Sequence, residues 1–435
     1  TFEEGGTLPL AIGDFAFSNA TGTSNASKAQ AFMPVKTLTI PARTTEIGQG
    51  AFYAMMELET LVFEEGCELM ELPNYMAFGC VNLKTIIWPA NLQTIGQSAF
   101  DMYTSELKYY EYTVAEGVGA ATEKTREYIG NKVLSSLSFP ASLQEIGQYN
   151  FRNVTDLTKV VFADGTENLI FGTGTFYTTF AYAGPELSVT FSANIYEIGS
   201  QFFANKNLTG ITFPAGSRLS SIGRQAFSVV TSGASIPAFD TITLPSTVTS
   251  LFGDTTSGFK GNAFYGYINL KKFEVVGSDG PLSAENGLLY MSDETGAKKL
   301  YRVPNGYAPV DGVLTISDIA GVAANAVNHN ANISEIVVSN VDSLDDYCFA
   351  GMTGLTSATI NGVETIGTGI FMEDVLLQTF ITDENFTVVP ASMFKGCTNF
   401  AQFNYFANVT EIGGTAFSGA AITGEVTMPK LVKLG

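Results

Sequence analysis

The sequence predicts a repeat solenoid built mostly of short parallel β-strands. Three observations carry this: one motif returns about a dozen times, its spacing is nearly constant, and each copy pairs strand-like alternation with a glycine and an Ala-Phe step. The clearest copy is Leu83 to Phe100, LKTIIWPANLQTIGQSAF. Ile86 and Trp88 alternate about Ile87 as on a half-buried strand, and Pro89 closes that strand. Gly96 permits a turn, and Ala99-Phe100 offers a small and a large residue to an interior. Ile86, Trp88, Ile95 and Phe100 are therefore read as core. A chain of 435 residues would suggest two or three domains by length alone. A solenoid grows without enlarging its core radius, so one long repeat domain is expected instead, over residues 37–435.

Taken in order, residues 1–36 lack a full unit. Leu8-Pro9-Leu10, Ile12-Gly13 and Phe15-Ala16-Phe17 read as a degenerate capping turn that covers the apolar end of the first repeat. Regular units follow, each closed by an aromatic: Phe52, Phe78, Phe100, Phe151, Phe176, Phe203, Phe227, Phe264, Phe349, Phe371, Phe394 and Phe417, with Val327 in that place once. Neighbouring aromatics lie 22 to 27 residues apart where nothing intervenes. A single turn cannot fold alone. About five large apolar side chains, at roughly 1.5–3 kcal/mol each, do not outweigh roughly 1–2 kcal/mol of ordering per residue, so turns must stack. The last unit, from Met428-Pro429 to Leu434-Gly435, begins a repeat and stops, which reads as an incomplete copy.

Asn or Asp stands just before the first apolar residue of several strands, at Asn82, Asp156, Asn207, Asn269, Asn332 and Asn399. These side chains bond nearby backbone and tolerate turn geometry, so a structural ladder is expected, not glycosylation at Asn207 or Asn332. Two insertions interrupt the repeats. Residues 101–132 hold Tyr103, Tyr109, Tyr110, Tyr112 and Tyr128 among charges and glycines, either as a packed loop or as a binding element. Residues 277–312, with NGLLYMSDETGAKKLYRVPNG, alternate like a hairpin that packs structurally. A looser stretch around 252–260 reads as a loop.

Composition narrows function. The net charge of −20 and the pI near 4.4 exclude the basic surface that nucleic acid requires, and acidic surfaces repel anionic lipid. The Ala-Phe step explains much of the excess of 33 Phe over one Trp. Four cysteines do not make a disulfide framework; Cys80, Cys348 and Cys397 fall at interior phases, and Cys67 with Cys80 is the one sequence-close pair open to bridging. No membrane span or signal peptide is visible. The single histidine, His329, lacks the partners that catalysis or metal binding needs. The adjacent acids Glu64-Glu65, Asp345-Asp346 and Asp383-Glu384 point apart on extended chain and read as solvated charge or adventitious calcium contacts. No phosphate-cradling loop, zinc spacing or EF-hand occurs, so no cofactor, metal or catalytic residue is assigned.

With these residues in view, the chain resembles the BspA-like leucine-rich repeat proteins, whose unit reads close to L-x-x-I-x-I-P-x-x-V-x-x-I-G-x-x-A-F-x-G-C. Leu83, Ile86, Trp88, Pro89, Leu92, Ile95, Gly96, Ala99 and Phe100 fit it, as do Ile40-Pro41, Ile47-Gly48 and Ala51-Phe52. The resemblance covers nearly the whole chain. It implies a right-handed repeat with a parallel sheet on one face and short helical or 3-10 turns on the other. It also implies a non-catalytic, secreted or cell-surface bacterial protein, host-associated, that adheres to host proteins or glycans. The motif marks the scaffold and not the ligand.

Two places remain for binding. One is the outward row between inward strand residues: Thr39, Val62, Ile87, Ser138, Val161, Thr190, Thr212, Thr243, Val337 and Thr359. Ile87, Val161 and Thr212 stand for it as candidate contacts, although β-branched residues favour strands whatever their function. The other is the tyrosine set of the first insertion. The alternative reading is a passive spacer or assembly module of a larger surface protein; a glycan hydrolase would need two facing carboxylates in a deep cleft.

Overall fold

The computed structural model describes residues 6–18, 34–102, 106–115, 118–127, 130–177, 184–229, 236–251 and 263–435, with backbone alone over 106–127. It divides into two compact units, Thr1–Pro237 and Ala238–Gly435. In the first unit each turn lays one short strand on each of two parallel faces. On the first face, Thr37–Ile40, Thr60–Phe63 and Thr85–Ile87 form one sheet, and Ser136–Phe139, Lys159–Phe162 and Ser188–Thr190 form another. Register keeps equivalent positions level, with Leu38 beside Leu61 beside Ile86. Leu38, Ile40, Leu61 and Phe63 are buried, as period-two alternation requires.

The opposite face differs from the sequence expectation of helical or 3-10 turns. Glu71–Leu72, Thr94–Ile95, Glu145–Ile146, Leu169–Phe171, Ile195–Ile198 and Ser221–Ile222 run there as a second parallel sheet. Among the described residues the one helical element is the 3-10 turn Val310–Gly312. The reason lies in the Ile-Gly step. Gly96 N–H donates to Leu72 O, Gly147 to Ile95 O and Gly172 to Ile146 O, each at 2.8 Å, which ties each turn to its predecessor in strand fashion.

The glycine is also needed for a different reason from the one its turn-like context suggests. Gly96, Gly147 and Gly172 do not sit at positive φ. A Cβ on Gly96 would lie 2.7 Å from Asn74 N, on Gly147 2.8 Å from Gln97 N, and on Gly172 2.5 Å from Gln148 N. Close approach of the neighbouring backbone, not left-handed geometry, selects glycine here.

The Ala-Phe steps fill the space between the faces. Phe100, Phe151, Phe176, Phe203 and Phe227 stack in one column at centroid spacings of 5.4, 5.5, 4.8 and 6.3 Å. Phe78 departs from its expected place. Phe52 N bonds Met76 O and Ala77 N bonds Ala99 O, so Ala77 occupies the core position. Phe78 is one residue late, half-buried, and stacks on Tyr53 at 4.9 Å. The N-terminal turn places Leu10–Ile12 beside Thr44–Ile47 and stacks Phe17 on Phe52 at 5.9 Å.

In the second unit, Leu282–Glu285, Leu288–Ser292 and Lys298–Arg302 form a three-stranded antiparallel meander within residues 277–312, one strand more than a hairpin. It hands over to the ten-residue parallel strands Val313–Val322, Glu335–Leu344 and Ser357–Ile366. Each of these strands turns its corner through a left-handed residue: Asp318, Asn340 and Gly362. Phe349, Phe371, Phe394 and Phe417 repeat the aromatic column at 5.7, 5.9 and 5.5 Å. Of the looser stretch, residues 252–260 lie outside the described residues.

One buried position, three residues before the first core residue of a turn, takes a cysteine or a polar residue in several turns. Cys80 Sγ donates to Phe52 O at 3.3 Å and Cys397 Sγ to Phe371 O at 3.0 Å. Asn131 Nδ2 reaches Leu83 O at 2.8 Å, and Asn330 Nδ2 reaches Pro304 O and Tyr307 O. The anticipated ladder two residues later is met at Asn82, whose Nδ2 bonds Met56 O at 2.7 Å. All four cysteines are buried free thiols, so Cys67 and Cys80 are not bridged. Burial pushes the Cys80 thiol up to about 12.

Asp374 holds the same buried position. Its Oδ1 accepts Met352 N at 2.7 Å, whereas its buried Oδ2 has no partner. Burial pushes this carboxyl well above the usual carboxylate range. The folded state then keeps a proton that the unfolded chain loses, so this group costs stability as pH rises from the ordinary carboxylate range toward the folded value.

Two outcomes follow. Gly413 and Gly414 are neighbours, yet a Cβ on Gly413 meets Ala391 N at 2.4 Å while one on Gly414 meets nothing within 4 Å. Denaturant unfolding should show Gly413→Ala costing at least about 2 kcal/mol and Gly414→Ala changing stability by less than about 1 kcal/mol. For Asp374→Asn, thermal melts should show a gain of about 1–3 kcal/mol at about pH 8 that fades by about pH 4.

Candidate functional site

The outward row of the first face is a real structural row. Thr39, Val62 and Ile87 stand level across three strands, and Ser138, Val161 and Thr190 across the next three. Ile87 is 50% exposed, Val62 and Val161 are half-buried, and Thr212 is exposed on Ile211–Thr212. In the second unit Thr315, Val337, Thr359 and Ile381 stand level in the same way. These named positions carry no charge. Charges lie beside the row, where Glu59 joins Lys36 at 3.2 Å and Lys84 at 2.8 Å. The Lys84 hydrogen bond, then that of Lys36, holds the exposed Glu59 carboxyl below its usual range.

The row is interrupted where the first insertion enters. Thr85–Ile87 and Ser136–Phe139 belong to different sheets, yet behind them Thr94–Ile95 still pairs with Glu145–Ile146 and Phe100 still stacks on Phe151. The insertion therefore breaks the first face and leaves the second face and the core column continuous. Ile86 and Trp88, read from the sequence as interior, are only half-buried because no described strand pairs along that edge. Trp88 still packs its ring on Phe100 at 5.3 Å and Phe139 at 5.5 Å.

The insertion itself is a two-stranded antiparallel hairpin, Glu106–Ala115 with Val118–Glu127. Its register sets Tyr109 opposite Lys124, Tyr110 opposite Glu123 and Tyr112 opposite Ala121. Tyr103 and Tyr128 lie outside the described residues, as do the hairpin side chains.

Sequence reading missed two grooves on the second face. Thr44–Ile47 pairs with Leu10–Ile12 and Glu71–Leu72 pairs with Thr94–Ile95, but the two strands do not pair with each other. Between them lies an open groove of about 700 Å³. A smaller one, about 330 Å³, lies between the end of Ser357–Ile366 and Val388–Val389. Both coincide with a proline, Pro73 or Pro390, in the place that glycine holds elsewhere. Without an N–H, neither residue can bond the carbonyl of Ile47 or Ile366 in the preceding turn. The signal was in the sequence: Leu72-Pro73 and Val389-Pro390 replace Ile-Gly at fixed phase.

Several of the acids singled out in the sequence are tied into structure. Glu64 accepts Ala42 N, Asp346 accepts Thr368 N, and Asp383 accepts Gly362 N and Asn385 N. Lys299 bonds Asp345 at 3.2 Å. Lys206 is buried with its ammonium on Val154 O, and burial draws it down to about 7 despite Asp156. His329 lies edge-on to Tyr265 at 5.3 Å. Among the described residues no three His, Cys, Asp or Glu side chains converge as metal ligands. No described helix is long and apolar enough to cross a membrane.

Comparison with known proteins accords with this architecture. The profile described as BspA type Leucine rich repeat region, in six copies, matches residues 10–115, 126–251, 173–277 and 322–434. No curated protein matches the chain. A leucine-rich repeat protein from Eubacterium ventriosum has a similar structure, at 21% identity over 69% of this chain and 81% of that one, with a TM-score of 0.51. A leucine rich cell surface protein from Faecalibacterium prausnitzii aligns at 18% identity over 98% of this chain and 83% of that one, with a TM-score of 0.42. Strands, glycine contacts and aromatic columns recur with the motif over most of the sequence, and the chain belongs to the BspA-type leucine-rich repeat family.

Proposed function

We propose that this chain is a non-catalytic binding scaffold displayed outside a bacterial cell, and that it adheres to host proteins or glycans through its first face. The observation that carries the reading is the level, uncharged row ending at the half-exposed Ile87, beside the break where the tyrosine-bearing hairpin enters. Strand faces of this kind offer a flat strip to an extended partner, and tyrosines supply rigid area with a hydroxyl at small entropic cost. Carboxylates occupied by backbone N–H groups and lysines are unsuited to paired acid–base work, which supports the non-catalytic part of the reading. Family membership supports the surface location.

Screening the purified chain against host matrix proteins and a glycan array tests the proposal. A hit should weaken at least about tenfold, equivalent to about 1.4 kcal/mol, in the triple variant Tyr109→Ala, Tyr110→Ala, Tyr112→Ala and in Ile87→Lys. Binding unchanged by both sets of substitutions would remove the first face from the reading, and the passive-spacer alternative would then stand.

A further inference from the structure

The larger groove on the second face has the form of a missing strand. Backbone groups of alternate residues in a strand point to opposite edges. Gly48 N–H bonds Ile12 O, so the Ile47 N–H and C=O face away from Leu10–Ile12 and into the groove. Across it, Thr94 N–H takes Met70 O and Gly96 N–H takes Leu72 O, so the Glu71 N–H and C=O face into the groove from the other wall. Two parallel strands thus offer donors and acceptors toward each other with no described strand between. Immediately beyond, the turns close again through Gly50 N to Asn74 O at 3.1 Å and Phe52 N to Met76 O at 2.8 Å. The opening is confined to the level of Pro73.

The walls also carry a chemical preference. Glu46, Glu68 and Glu71 line the groove, no described Lys or Arg does, and Met70 is 49% exposed beside them. Charges on open strand edges ordinarily block unwanted pairing. Here they select by sign. A second copy of this chain, at net charge −20, is repelled, whereas a positively charged segment is attracted.

We propose that the groove between Thr44–Ile47 and Glu71–Leu72 is a strand-addition site for an extended polypeptide segment bearing lysine or arginine. Such a segment bonds the Ile47 and Glu71 backbone groups through its main chain, bridges the break in the second sheet, and sets its cationic side chains against Glu46, Glu68 and Glu71. The smaller groove at Pro390, lined by Glu364 and Asp383, has the same origin and the same sign of charge. The site lies on the face opposite the outward row and does not depend on the first-face reading.

The test uses the 435-residue chain and three fluorescent octapeptides: alternating lysine and valine, alternating glutamate and valine, and the lysine–valine peptide N-methylated at its central amides. The basic peptide should bind saturably with a dissociation constant below about 1 mM, and the acidic and N-methylated peptides at least about tenfold more weakly. Pro73→Gly, which restores the N–H that closes the sheet, should abolish binding. The pair Glu46→Gln, Glu71→Gln should weaken it about tenfold and flatten its salt dependence. The tyrosine variants of the hairpin should leave it unchanged, and thermal melts confirm that each variant is folded. Absence of saturable binding, equal binding of the three peptides, or full binding by folded Pro73→Gly overturns the proposal. A concentration-dependent dimer in place of peptide binding would also overturn it, in favour of a second copy as occupant.

Discussion

The contact on which the rest of the structure depends is the hydrogen bond between the Ile-Gly step of one turn and the carbonyl of the turn before it. At Gly96, Gly147, Gly172 and Gly413 the bond is 2.8 Å long, and the same approach leaves no room for a Cβ. Pairing and side-chain exclusion are thus one constraint. It sets the spacing at which the phenylalanine columns stack and the level at which first-face strands align. Single turns bury too little to fold, so the stability of each depends on this contact being repeated.

Departures from that constraint locate the surface features. Where proline takes the glycine's place, at Pro73 and Pro390, the donor is lost and pairing between neighbouring turns gives way to a groove. Where a hairpin is inserted after Met102, the first sheet opens instead, because the insertion enters between two first-face strands while the Ile-Gly contacts behind it persist. The two faces therefore fail independently. In the two proposals above each face is assigned a different kind of recognition: side chains on a complete strand face, or backbone groups on an incomplete one.

Buried polar residues follow the same repeat logic. Cysteine, asparagine and aspartate alternate at one interior position, and the carbonyl of the preceding turn is the acceptor that cysteine and asparagine share. Asp374 is the discordant member. It satisfies one oxygen and strands the other, and burial pushes its carboxyl well above the usual carboxylate range. Asp374 is fully buried, so its raised carboxyl is out of reach of any substrate on the surface.

By itself the sequence determined the repeat, its phase, the strand that opens each unit, the buried Ala-Phe pairs and the outward row, because all of these are local periodicities repeated often enough to be read without a partner. Tertiary structure alone decided what depends on the turn next door. The face opposite the first sheet is strand and not helix because glycine N–H groups find carbonyls one turn away. Phe78 yields its core place to Ala77 because inter-turn bonding, not the nearest Ala-Phe pair, fixes the phase. Trp88 is half-exposed because the strand that should cover it belongs to another sheet. The grooves at Pro73 and Pro390 are the same lesson in sequence form: a proline is visible to any reader, but its effect is on a carbonyl some 25 residues earlier, and only the stacked chain shows which one.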